Sequence, residues 1–176
     1  MPRPYQPSLL RVLHGAVAAL VAAAWISGLI VYSLHDGRWG RLPWQPGGDW
    51  IDIHGSVGVL LWPLAIAFGL YALSLGRARL RHPQNTAALL ALTLAVGSGK
   101  LMSEDWLRQG ELNGAMYSIH LLAWLLIGAA VLWHVSGVLR RGGLPLARSM
   151  ASLQARANDR PGHWPGQIAR FFRRPG

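Results

Sequence analysis

The segment from His120 to His134, HLLAWLLIGAAVLWH, constrains this chain more than any other part: two histidines fourteen positions apart bracket an uninterrupted apolar run. On an α-helix rising about 1.5 Å per residue, fourteen positions return to nearly the same face after about 21 Å. A helix of this composition carries one imidazole near each side of a hydrocarbon layer about 30 Å thick, both pointing the same way. Lipid cannot solvate ionisable groups, so those found at that depth line cavities or hold cofactors.

The rest of the chain fits a membrane setting. Of its 176 residues, 52% are hydrophobic and only 14% charged, and the mean hydropathy is +0.26, too apolar for an ordinary soluble domain. Four segments are long enough, or nearly so, to span as helices: Val12 to Ser33, Ile51 to Leu75, Thr86 to Met102 (the shortest) and Tyr117 to Leu139. The first has a basic flank, Arg3 and Arg11, like a signal peptide, but its run is long and has no clear small-residue cleavage site. It reads as a retained helix. The expectation is an all-α, multi-pass integral membrane domain over residues 1–139, a four-helix bundle, followed by a basic tail at 140–176.

A net charge of +10 would suggest nucleic acid in a soluble protein, so the placement of the charges decides. Thirteen of the seventeen basic residues lie in the amino-terminus, in the loop with Arg77, Arg79 and Arg81, and from Arg140 onward, opposed only by Asp159. The other two loops carry Arg38, Arg41, Lys100 and Arg108 against Asp36, Asp49, Asp52, Glu104, Asp105 and Glu111. The two sides balance at +12 and −2. This asymmetry puts both termini in the cytoplasm and removes the need for a nucleic-acid partner.

That topology gives each histidine a depth. His14 lies near the cytoplasmic start of the first helix and His54 near the external start of the second, while the fourth helix enters from outside with His120 and leaves at His134. Two pairs result: His54 with His120 outside, His14 with His134 inside. Zinc prefers four compact ligands, and no cysteine or nearby carboxylate completes such a set. Haem needs only two axial ligands, and its apolar macrocycle fits between helices. With no cysteine in the chain, neither the CxxCH attachment of c-type haem nor a thiolate-held iron–sulfur cluster is available. The haem type left is non-covalent b. Against this stands the plainer reading of four structural histidines in a transporter or assembly protein, hydrogen-bonding a neighbouring helix or relaying protons. Gly28 falls on the first helix at the level of the outer pair, and Gly55, Gly58, Gly128 and Gly137 sit close to the other histidines. Glycines there make room for a flat group or for close helix packing.

The motifs RVLH at Arg11 to His14, HGSVG at His54 to Gly58, and the run from His120 to His134 followed by Arg140 and Arg141 resemble the bacterial cytochrome b561 family. These are four-helix dihaem proteins grouped with the cytochrome b subunits of nickel-iron hydrogenases. The resemblance covers the four-helix core and departs at Gly15, where the family often has tryptophan. It implies a bacterial inner membrane, two haem b groups with His14, His54, His120 and His134 as axial ligands, and electron transfer with ubiquinone or another quinone. The implied protein is either a standalone quinone-linked oxidoreductase or a membrane subunit relaying electrons between quinone and a hydrogenase, dehydrogenase or periplasmic redox partner.

Four cations are further candidates. Lys100, ending the third helix in GSGK, stands near the outer pair, where an ammonium suits a haem propionate or a quinone oxygen; a lysine snorkelling to the interface is the plainer reading. Arg11 and Arg140, with Arg141, are placed to meet propionates of the inner haem, although cytoplasmic flanking alone also accounts for them. Trp39, Trp44, Trp50 and Trp106 fit an interfacial belt, and Trp62, Trp124 and Trp133 are expected to pack within the bundle. Pro63 is expected to kink the second helix. The tail segment QIARFFRR suits the anionic inner leaflet, but a flexible basic tail is the reading favoured by its prolines.

Overall fold

The computed structural model describes residues 5–102, 106–152 and 154–172; the charges assigned above to Arg3, Glu104, Asp105, Arg173 and Arg174, and the side chains of Arg170 and Phe172, lie outside what is described. The elements are α1 (Ser8–His35), α2 (Trp50–Leu73), a 3₁₀ turn (Arg77–Arg81), α3 (Pro83–Leu101), α4 (Ala115–Ala151), two short 3₁₀ turns and α5 (Trp164–Phe172). There is no strand among the described residues.

Local chemistry sets these bounds. The Asp49 side chain caps α2 by accepting from the Asp52 amide. Pro83 occupies the first turn of α3, where its missing N–H is not needed. Helix α2 continues through Pro63 to Leu73, so the expected kink is not a break in the helix. The interruption is in α4, at Gly143 with φ 59° and ψ −161°, two residues before Pro145. Only glycine adopts such a backbone freely, and the ladder must open ahead of a proline. The helix is thus interrupted four residues past its expected end at Leu139, and a turned helical extension continues to Ala151.

Helices α1, α2 and α4 are long and apolar enough to cross a membrane. Helix α3 is the less apolar one, and its polar side chains are turned to internal use: Gln84 and Ser98 are buried, and Asn85 bonds across to α4. The four long helices pack in a ring in chain order, most extensively within the hairpins α1·α2 and α3·α4 and more loosely between them. Val17, Leu61, Leu92 and Ile127, one from each helix, meet at mid-height. Outside this thin core the pattern is inverted relative to a soluble protein: Leu70, Leu90 and Leu132 are 65–70% exposed, a surface stable only against lipid. Trp62 and Trp133 also face outward, contrary to their expected packing role, whereas Trp124 packs inward.

One contact joins the hairpins tightly. The indoles of Trp25 and Trp124 stack with centroids 4.8 Å apart and planes within 12°. Each also donates its Nε1–H to the other's backbone carbonyl, at 3.2 and 3.0 Å. Gly128 makes this possible, since a Cβ there would lie 2.9 Å from Trp25 Nε1. Both half-buried indole donors are satisfied without water, as lipid requires.

The tail folds back on the bundle instead of hanging free. Met150 and Trp164 pack with Leu9, Leu10 and Tyr71. Helix α1 begins after Pro7 with no side-chain cap of its own. Asp159 supplies one from far along the chain: its carboxylate accepts from the Ser8 amide at 2.7 Å, Tyr5 Oη at 2.5 Å and Gln167 Nε2 at 3.0 Å. Trp164 Nε1 donates to Ser8 Oγ at 2.8 Å. Burial alone would raise the Asp159 carboxyl, but these donors outweigh it and bring it down to about 2. A folded-state pKa below the unfolded value of 3.8 means the contribution is present above about pH 4 and is lost as pH falls through about 2. Asp159→Ala should free the tail: removing the partner of buried donors costs about 1–3 kcal/mol. That corresponds to roughly five- to 150-fold faster limited proteolysis between Ser152 and Trp164 at neutral pH. Unchanged cleavage would show that the latch does not hold the tail.

Candidate functional site

The four membrane histidines come from three helices and meet in two pairs. His54 of α2 faces His120 of α4 with ring centroids 6.1 Å apart. His14 of α1 faces His134 of α4, also at 6.1 Å. Fourteen residues of α4 separate the two levels, about 21 Å along its axis. The first pair lies toward the end that carries the 36–49 loop, the loop end; the second lies toward the end covered by the termini, the tail end.

Each level is built differently. At the loop end, Ser27 Oγ is 3.0 Å from His54 Nδ1, and Ser98 Oγ is 2.9 Å from His120 Nδ1. The neighbouring glycines let the rings lie against backbone: a Cβ on Gly28 would be 3.2 Å from His54 Cε1, and one on Gly99 would be 3.1 Å from His120 Cε1. Gly28 therefore stands at the level the spacing predicted. Gly55 and Gly58, by contrast, have open space beside them. At the tail end, Asn85 Oδ1 is 3.0 Å from His134 Nδ1, while Asn85 Nδ2 donates to Arg79 O at 2.7 Å. The ring of Phe68 meets His14 edge-on at 6.1 Å. Gln84, with its amide oxygen toward Arg141, accepts from that guanidinium. Gly137 gives it the room, since a Cβ there would lie 2.6 Å from the amide end.

The cations are placed as follows. Lys100 holds its ammonium 5.8 Å from the centre of the Trp62 ring, against α2, one residue from the glycine that touches His120. Arg11 is buried, and its two terminal nitrogens donate to the Ser152 and Gln154 carbonyls. Its Nε is a buried donor with no partner among the described residues. Arg140 is exposed on α4. At the loop end the Asp36 carboxylate pairs with Arg38 at 2.8 Å and accepts from Tyr117 Oη at 2.9 Å. Burial alone would raise its pKa, but those donors lower it. This ties the end of α1 to the start of α4.

Sequence reasoning missed Ser27, Ser98, Gly99 and Asn85. A signal existed: of the three Ser-Gly dipeptides, those at 27–28 and 98–99 each lie in the helix preceding one of the loop-end histidines, while the third, at 136–137, follows His134.

Imidazoles facing at two levels inside an apolar helical bundle, with no cluster of three or more His, Cys, Asp or Glu among the described residues, define a membrane helical protein whose interior holds paired histidines. A sequence profile for prokaryotic cytochrome b561 matches residues 5–152, and the chain belongs to that family. It is accordingly a membrane b-type cytochrome of electron transfer. Neither the curated proteins nor the solved structures contain a match to it.

Proposed function

We propose that the chain carries two haem b groups, one between His54 and His120 and one between His14 and His134, and moves electrons across a bacterial inner membrane in exchange with quinone. Both termini then lie in the cytoplasm, in keeping with the basic charge of the tail end. The observation that carries this reading is the 6.1 Å separation of ring centres at both levels. Two imidazoles bound to a common metal through bonds of about 2 Å, each nitrogen about 1.2 Å from its ring centre, stand about 6.4 Å apart. Histidines that merely filled a core would have no reason to keep that separation twice.

The surroundings fit the same group. Held by His54 and His120, and by His14 and His134, haem b would supply outer-sphere one-electron transfer. The chain's own residues do the rest. Gly28 and Gly99 admit the loop-end rings, the Trp25–Trp124 pair seals the space between α1 and α4, and Met150 and Trp164 close the tail end to water. The unpartnered Arg11 Nε is a donor suited to a propionate carboxylate. Lys100, beside the loop-end pair and open to the membrane, is the polar group suited to a quinone oxygen. The groove of about 490 Å³ between α3 and α4, lined by Ala87, Leu90, Leu94, Leu126 and Trp133 among others, is mostly apolar and suits an acyl or isoprenoid chain.

The test is haem quantification and redox titration of the purified chain, followed by reduction with a short-chain quinol in liposomes. Two haems per chain and quinol-driven reduction are expected, with Lys100→Met slowing that reduction roughly tenfold at unchanged haem content. A haem-free chain overturns the cytochrome assignment in favour of a transporter or assembly role. Two haems that quinol does not reduce would move the chain to the role of a subunit fed by a protein partner.

A further inference from the structure

We infer that Ser27 and Ser98 are a duplicated pair of positioning residues that hold the loop-end histidines in the Nδ1–H tautomer with Nε2 free, that Asn85 does the same for His134, and that the three set the electron affinity of the two levels separately. This rests on the haem reading above and goes beyond it in assigning what tunes each centre.

The tautomers follow by exclusion. A serine hydroxyl has one hydrogen. Ser27 Oγ lies 2.8 Å from Ala23 O and 3.2 Å from Ala24 O, and Ser98 Oγ lies 2.7 Å from Leu94 O and 3.2 Å from Ala95 O. Carbonyls only accept, so both hydroxyl hydrogens are directed there. What each serine presents to its histidine is a lone pair. The hydrogen of the serine–histidine bond must then reside on Nδ1, which leaves Nε2 as the free donor of electrons to a metal. For His134 the argument is more direct. Asn85 Nδ2 donates to Arg79 O, so its oxygen is the atom facing His134 Nδ1, and an amide oxygen only accepts.

The arrangement at the loop end is repeated in the two hairpins. Ser27-Gly28 of α1 serves His54 of α2, and Ser98-Gly99 of α3 serves His120 of α4. In each case serine supplies an acceptor beside a backbone carbonyl, that of Ala24 for His54 and of Ala95 for His120, and the next residue gives the ring its room. A separation of 27 residues in one hairpin and 22 in the other keeps the same contact. The tail end has no such repeat: an amide oxygen serves His134, and His14 lies against Phe68. A histidine that donates its second ring hydrogen to an oxygen is a more basic ligand and favours the oxidised metal. The two levels, with hydroxyls at one and an amide at the other, are therefore tuned by different residues.

The test uses the full-length holoprotein, with midpoint potentials and low-spin ferric electron-paramagnetic spectra as readouts. Ser27→Ala and Ser98→Ala should each raise the potential of the loop-end centre and leave the other unmoved. A tenfold change in the preference of the site for the oxidised over the reduced metal is, for one electron, about 59 mV, the size of shift expected. Asn85→Leu should raise the tail-end centre by a similar amount. Should an alanine variant lose haem, Ser27→Thr against Ser27→Val decides, because the two share bulk and differ in the hydroxyl: threonine should stay near wild type and valine should shift. Ser118→Ala, whose hydroxyl serves only Gly114 O, should shift neither centre. Two haems in the wild type with potentials and spectra unmoved in the serine and asparagine variants would overturn this inference alone; a wild-type chain without haem would overturn the reading beneath it.

Discussion

Alanine at His54 and alanine at His120 are expected to abolish the same haem, lowering the content from two per chain to one and leaving the other centre's spectrum intact. Alanine at His14 or His134 should do the reverse. The physical basis is that each facing pair has its ring centres 6.1 Å apart, with the two levels about 21 Å apart along α4. No imidazole reaches the other level. Removing a residue that only supports a ligand typically weakens a metal site 10–100-fold, and removing the ligand should exceed that. The double variant at His54 and His120 should lose no more haem than either single one, since both act on one site. The double variant at His54 and His14 should lose both haems. Haem content and difference spectra of the six proteins decide this. If His54→Ala and His14→Ala have the same spectrum, the pairing is wrong.

Valine at Gly28 should come close to the same loss without touching a ligand. Its Cβ would stand 3.2 Å from His54 Cε1 and 3.5 Å from Trp124 Cδ1. Neither neighbour can give way easily. His54 is bonded to Ser27 at 3.0 Å, and Trp124 is stacked on Trp25 and bonded to its carbonyl. Overpacking in such a place costs about 1–3 kcal/mol, here taken up by rotating the His54 ring away from its partner. Loop-end haem should fall to a small fraction of wild type, with the tail-end centre retained and the protein still folded. Gly97→Val is the control, being exposed on α3 with nothing within 4 Å, and should keep both haems. Full occupancy in Gly28→Val would show that the ring does not depend on that close approach.

The legible part of this protein was carried by periodicity and charge. Because a chain in lipid must satisfy its backbone internally and the helix is the local way to do so, apolar runs located the long helices to within four residues, save the end of α4, which runs past the expected Leu139 to Ala151. The histidines could be sorted into pairs because fourteen residues is nearly a whole number of turns. The second-level contacts were illegible. Ser27 and His54 are distant in sequence, and nothing in either residue announces which hydroxyl will meet which ring. The latch shows the same limit. A tail rich in proline and arginine reads as loose, and only the fold puts Asp159 at the uncapped start of α1, where an orphan amide and a carboxylate satisfy each other.

What the amino-acid sequence by itself determined was an apolar helical chain, the helical spacing of its histidines and the lack of any thiol ligand, all consequences of residue type and spacing along one dimension. Only the tertiary structure decided that Ser27, Ser98 and Asn85 face the Nδ1 atoms, that glycine at 28 and 99 admits the rings, and that the indoles of α1 and α4 lock the hairpins together. Those contacts depend on the relative rotation and height of packed helices, which many weak side-chain contacts fix jointly and no single segment encodes.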